Sequence, residues 1–339
     1  MITITSYTLA VLLSVLTMIC WGSWSNTQKL VQKSWRFELF YWDFIFGLFL
    51  TSLIAAFTVG SLGDGGRTFL ADLSQSDGES ILYAIAGGAL WNLGNLLLVA
   101  AIAVAGLAVA FPIGGGIAWI VGIGVNYVVE IMDTGQAASN EWILLTGVLV
   151  IIAAIILSAL SYRRLSKETK KPSLKGILLS LAAGITIAFY YGIVVRSLDN
   201  QLVHGGAGSL TPYTAIFFLA VGVVVSTIPF NLFFMKFPIE GKPIHIREYF
   251  KQRDLRTHLA GFLGGIIWTI GIVASFMSLG VASPAISYAL GNAAPVVASI
   301  WGVFVWKEFR EGSKGTNNLL MAMFTLYLIG LVIIIYAKN

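Results

Sequence analysis

The chain has little charge and almost no cysteine. Asp, Glu, Lys and Arg make up 11% of its 339 residues, against about 25% in soluble domains, which excludes an ordinary soluble domain. The one cysteine, Cys20, excludes an intramolecular disulfide; lying within an apolar run, it reads as a small packing residue. The three histidines, His204, His245 and His258, read as loop residues with no second ligand at helical spacing, so no metal site is expected. His-Glu-x-x-His, paired cysteines and a phosphate loop are all missing, so neither an enzyme nor a cofactor protein is expected. Residues 1–7 carry no Lys or Arg. Without the basic n-region of a cleaved signal peptide, the first apolar run is expected to stay in the mature protein.

What is present is apolar length. Hydrophobic residues are 57% of the chain, and ten stretches each provide the roughly 20 helical residues that cross a hydrocarbon core of about 30 Å. They run from Tyr7 to Gln28, Leu39 to Val59, Ile81 to Val104, Gly106 to Val129, Trp142 to Tyr162, Leu174 to Ser197, Thr211 to Met235, Leu259 to Leu279, Val281 to Trp306 and Asn318 to Tyr336. A membrane β-barrel needs alternating segments of about ten residues, and these runs are longer and apolar all round. The expected fold class is an all-α integral membrane protein with ten transmembrane helices.

Ten spans place alternate loops on opposite faces. One face collects 18 of the 21 basic residues, including Lys29 and Lys33, the run Arg163 to Lys175, the loop Lys236 to Arg256 and Lys307; the other holds Arg67, Arg196 and Lys338. By the positive-inside rule the basic face is cytoplasmic and both termini lie outside, in the cell membrane. The basic loops adjoin membrane ends and lack interleaved aromatics, so topology explains the pI near 9.2 better than nucleic-acid binding does.

The pattern Gly-Gly-x-x-Trp-x-x-Gly occurs twice, at Gly87, Gly88, Trp91 and Gly94 and again at Gly264, Gly265, Trp268 and Gly271. With five spans on each side of the central basic loop, the copies imply two repeats of opposite orientation: residues 1–162, a linker over 163–173, and residues 174–339. In each half the third and fourth spans meet almost without a loop, at Ala105 and Gly106 and at Gly280 and Val281, which predicts tight helical hairpins. Gly114, Gly115 and Gly116 follow Pro112 near mid-membrane, which predicts an unwound turn there.

Polar groups inside spans must face the bundle interior or a cavity. Trp21, Trp24, Ser25 and Gln28 share a face at α-helical spacing, with Asn26 beside it; Trp91 and Asn95 lie four apart with Asn92 adjacent. Gly115, Trp119, Gly122 and Asn126 form another stripe, and Tyr288, Asn292, Pro295 and Ser299 repeat the idea in the ninth span. Amides donate and accept, and indole and phenol rings offer flat faces with a polar edge. The set suits a small neutral polar solute such as a ureide, nucleobase or sugar, though each residue could equally serve interhelical hydrogen bonding. Asp43 is read as the one acidic residue clearly inside a span. A charged carboxylate there is costly, so Asp43 is a candidate carrier of a coupling proton; reaching headgroup water or pairing with Lys29 or Lys33 is the alternative.

Gly88-Ala-Leu-Trp91-Asn-Leu-Gly94-Asn95 and the glycine-rich fourth span resemble the glucose/ribose porter and L-rhamnose/proton symporter branch of the drug/metabolite transporter superfamily. The opening Trp21-Gly-Ser-Trp24-Ser-Asn26-Thr-Gln28, with Trp35-Arg-Phe-Glu38 and Tyr41-Trp-Asp43, is similar to bacterial relatives of the plant ureide permeases in that branch. The resemblance implies ten helices in two inverted five-helix repeats and proton-driven import, with Trp91, Asn95 and Asp43 at characteristic positions. A secondary active importer is therefore expected. An exporter of amphipathic compounds and a receptor without transport are the alternatives.

Overall fold

Hydrocarbon gives backbone amides no partners, so an apolar chain of this length satisfies them within helices. The computed structural model describes residues 1–31, 35–105, 107–135, 140–165, 174–198, 206–239, 241–307 and 315–338, and no strand occurs among them. The helices are α1 (Tyr7–Ser23), α2 (Phe37–Phe57), α3 (Phe69–Gln75), α4 (Gly78–Ala105), α5 (Leu107–Thr134), α6 (Glu141–Leu165), α7 (Leu174–Val195), α8 (Pro212–Lys236), α9 (Arg247–Lys251), α10 (Leu255–Ala282), α11 (Pro284–Gly291), α12 (Pro295–Ile300) and α13 (Thr316–Ile335). Ten spans result, with α11 and α12 sharing the ninth, whereas α3 and α9, of seven and five residues, are too short to cross a bilayer. Most of the expected linker, from residue 166 to 173, lies outside the described residues, as do Lys33, Gly106 and His204.

The packing is reciprocal between the halves. Helix α4 packs on α7 and α8, just as α10 packs on α1 and α2, while α6 lies against α13 and α2 against α8. The motif glycines make these approaches possible. A methyl group at Gly88 would stand 2.1 Å from the Leu219 carbonyl oxygen of α8, and one at Gly265 would stand 2.1 Å from the Phe44 carbonyl oxygen of α2. Gly87 and Gly94 face α7 at Val194 and Ile187; their counterparts Gly264 and Gly271 face the first span at Thr27 and Trp21. Each glycine thus has the same task in both copies.

Three local expectations change. The first span does not stay α-helical to its end: from Trp24 to Leu30 it tightens into a 3-10 helix. At three residues per turn the α-spaced stripe breaks up, leaving Ser25 exposed. The triple glycine does not unwind; α5 runs unbroken through Gly114, Gly115 and Gly116. The interruption falls instead in the ninth span, where α11 stops at Gly291 and α12 starts at Pro295. Glycine only weakens a helix, whereas Pro295 cannot donate to the Gly291 carbonyl and its ring crowds that turn. The second hairpin turns at Ser283, whose φ is 75°, three residues beyond Gly280. There Pro284 opens α11 at its first position, where no backbone donor is needed.

Candidate functional site

Trp91 and Trp268 are each the fourteenth residue of a 28-residue helix, so both lie near mid-membrane. Their rings meet there, 4.2 Å between centroids and tilted by 41°. Trp21 also stacks on Trp268, at 6.1 Å and 17°, and its indole donates to the Trp268 carbonyl at 3.3 Å. Trp24 packs on Phe44 at 4.7 Å, and Phe44 stacks on Trp91. Three indoles from α1, α4 and α10 thereby share one centre. The sequence reading named Trp268 in the repeat but not as a site residue, although its equivalence to Trp91 was the available signal.

The amides divide by role. Asn92 is fully buried: its Oδ1 accepts from the Tyr41 hydroxyl at 2.7 Å, and its NH2 donates to Ser226 Oγ at 2.8 Å and Thr227 Oγ1 at 3.1 Å. These bonds tie α4 to α2 and α8. Asn92→Ala strands those buried partners and is expected to cost about 1–3 kcal/mol, measurable as a lowered midpoint of thermal unfolding in detergent. Asn95 donates to the same Tyr41 hydroxyl at 3.2 Å. Asn26 lies apart, its Oδ1 accepting from the Trp306 indole at 2.7 Å, and Gln28 is half-buried on the 3-10 turn below it.

The α5 stripe engages the ninth span. The Trp119 indole donates to the Ala289 carbonyl at 3.0 Å, and the Tyr288 hydroxyl to the Ala118 carbonyl at 2.8 Å. Tyr288 fits because Gly122 has no side chain; a methyl there would stand 2.2 Å from the phenol oxygen. Asn292 donates to the Tyr288 carbonyl at 3.2 Å and, with Trp119, Gly115 and Ser158, borders a cavity of about 20 Å³, room for about one water. Gly291 lies against Thr17 and Trp21, joining this group to the tryptophan centre.

Asp43 has partners that the sequence reading missed. The Tyr249 hydroxyl of α9 donates to Oδ1 at 2.5 Å, and His258 Nδ1 stands 3.0 and 2.9 Å from the two carboxylate oxygens. His258 is not a loop residue: α10 begins at Leu255, so the ring belongs to its first turn. Of the expected lysine partners, Lys29 lies over the Trp306 ring instead. The other ring nitrogen, Nε2, stands 3.3 Å from the Gln252 carbonyl oxygen. A carbonyl oxygen only accepts, so Nε2 suits the donor role toward Gln252, while Nδ1 faces the Asp43 carboxyl group. Trp35 and Tyr249 pack edge-to-face with the imidazole at 5.7 and 5.0 Å. Burial and the Asp43 carboxylate push the Tyr249 phenol well above its ordinary value, so it remains a donor. Aspartate, histidine and tyrosine thus fasten α2, α10 and α9 together at the basic face.

Asp43 is also not the sole acidic residue within a span. Helix α5 continues to Thr134, beyond the expected end at Val129, and brings Glu130 inside at 3% exposure. Among the described residues, no three His, Cys, Asp or Glu side chains gather as a metal site would need.

A family model described as "Ureide permease" matches residues 40–171 and 157–337. Ureide permease 1 of Arabidopsis thaliana is 26% identical, with 97% of each chain covered. A Listeria innocua protein named for sugar uptake is 22% identical over 76% of this chain and 80% of the relative. A protein of known crystal structure, 15% identical, aligns with a TM-score of 0.65 over 97% of this chain and 96% of that one, which shows a shared fold. The relatives are permeases rather than enzymes. With ten membrane-length helices and a family match over nearly its whole length, this chain is a multi-pass membrane transporter that belongs to the ureide permease family.

Proposed function

We propose that the chain is a proton-coupled importer of a small neutral polar metabolite, a ureide or nucleobase in the first place and a sugar in the second. The observation that carries this reading is the meeting of Trp91 and Trp268, equivalent residues of the two motif copies, at the bundle centre beside Trp21. Transporters with inverted repeats place their solute at such an interface. Flat indole faces suit a planar amide-bearing ring, and Asn95, Trp119 and Asn292 provide polar groups nearby. The names of the plant relatives support ureides, and that of the Listeria relative supports sugars. Neither relative's name supports export or reception.

In this reading the reciprocal packing reflects two inverted five-helix repeats, residues 1–162 and 174–339, that rock about the tryptophan centre. The motif resemblance supports reading the chain as a member of the drug/metabolite transporter superfamily. The Asp43–His258 pair carries the coupling proton at a cytoplasmic basic face, and both termini lie outside the cell membrane. A reporter fused to the C-terminus should be active only outside; activity in the cytoplasm would overturn this orientation.

The deciding experiment is uptake of labelled allantoin, uracil and glucose into proteoliposomes with an imposed inward proton gradient. One class should accumulate, and Trp91→Ala should remove at least about 90% of that uptake, since a stacking ring is worth about 0.5–1.5 kcal/mol beyond the area it buries. Equilibration of every solute regardless of the gradient would reject proton-coupled import.

A further inference from the structure

Two apolar grooves flank α5 in the half of the bilayer opposite the basic loops. The larger, about 630 Å³, runs between α5 and α7 along Val121, Val125, Val128 and Phe189, with Tyr83 and Arg196 at its end. The smaller, about 410 Å³, runs between α5 and α6 along Ile120, Ile123 and Leu145, with Tyr127, Glu141 and Trp142 at its end. Gly124 borders both, and a methyl group there would meet nothing within 4 Å. From Ile120 to Val128 the helix rises about 12 Å, close to half of a hydrocarbon core of about 30 Å. The polar ends of both grooves lie at the same membrane boundary, because α4 and α6 begin there and α7 ends there.

The charges at that boundary are complementary to a particular headgroup. Of the three basic residues on this face, Arg67 is bonded to buried Asp72 and Lys338 to the Val281 carbonyl. Arg196 has only the Met132 thioether, at 3.8 Å, among the described residues. That weak acceptor leaves most of its five donors available. Across α5, exposed Glu141 accepts from the Tyr127 hydroxyl at 3.3 Å. A cation beside one groove and a carboxylate beside the other match a phosphate and a primary ammonium.

We infer that these grooves hold one diacyl aminophospholipid, an acyl chain on each side of α5, with its phosphate on Arg196 and its ammonium on Glu141. Gly124, about one turn below the polar ends, leaves the two chains room to approach each other across α5. The site is separate from the tryptophan centre and does not depend on which solute is carried.

Native mass spectrometry of the purified full chain would test this with phosphatidylethanolamine and phosphatidylglycerol of identical acyl chains. One phosphatidylethanolamine per protomer should be retained in preference to phosphatidylglycerol. Arg196→Gln and Glu141→Gln should each reduce retention about tenfold, the scale of a lost charge-assisted hydrogen bond. Gly124→Phe, whose Cβ would meet nothing within 4 Å and whose ring would fill the grooves, should leave thermal stability in detergent unchanged and abolish retention. Equal retention of both lipids, retention unaffected by Gly124→Phe, or a protein dimer that Gly124→Phe dissociates would each overturn the assignment.

Discussion

Asp43→Asn is expected to uncouple transport. In proteoliposomes with about one unit of inward pH gradient, worth about 1.4 kcal/mol, one proton per solute sustains about tenfold accumulation. The variant should show none, while exchange of labelled for unlabelled solute continues. Asparagine keeps the size of the side chain and can still accept from Tyr249, so the cluster should persist without its titrating member. His258→Gln makes a sharper demand. It removes the imidazole that stands 2.9 Å from the Asp43 carboxylate. Proton-driven accumulation should fall, with maximal exchange retained. Tyr249→Phe removes a donor that does not itself titrate in the working range, so it should weaken uptake without changing the form of the pH profile. Full accumulation by Asp43→Asn would eliminate the carboxylate as the proton carrier.

The sequence revealed what depends on length and repetition. Ten spans followed from apolar runs, and Trp91 was legible as a site candidate, whereas Trp268, at the matching position of the second motif copy, was read only as part of the repeat although the two rings meet. What escaped was set by tertiary contact. His258 follows a charged loop and looks solvent-borne until α10 is seen to begin at Leu255 and to pass Asp43, where Gly261 admits the α2 backbone. Tyr249 sits in a five-residue helix with no periodicity to detect. Glu130 was missed because a span's end was set by the last apolar residue, while the helix itself continued one turn further. The break in the ninth span was mislaid for another reason: glycine density was weighed as a helix breaker, and proline position decided.

Gly88→Ala and Gly265→Ala are expected to destabilise the fold severely, and to similar degrees. Each added methyl would lie 2.1 Å from a backbone carbonyl oxygen on the facing helix, well inside any tolerable contact. A side chain could rotate away, but a carbonyl fixed in a helix cannot, so α4 must part from α8 and α10 from α2. Overpacking in cores costs about 1–3 kcal/mol and occasionally more. Here the clash is with backbone along a whole helix interface, so the upper end applies, and separation would also strain the Asn92 bonds to Ser226 and Thr227. The expected readout is a strong fall in monodisperse protein on size exclusion and a lowered unfolding midpoint for whatever survives. Gly124→Ala should leave both unchanged, because its methyl meets open space. The comparison between the two motif positions also probes the repeat. Equivalent glycines in equivalent packings should give matching losses, whereas a harmless Gly265→Ala beside a ruinous Gly88→Ala would mean that the halves have diverged in how they hold their central tryptophans together.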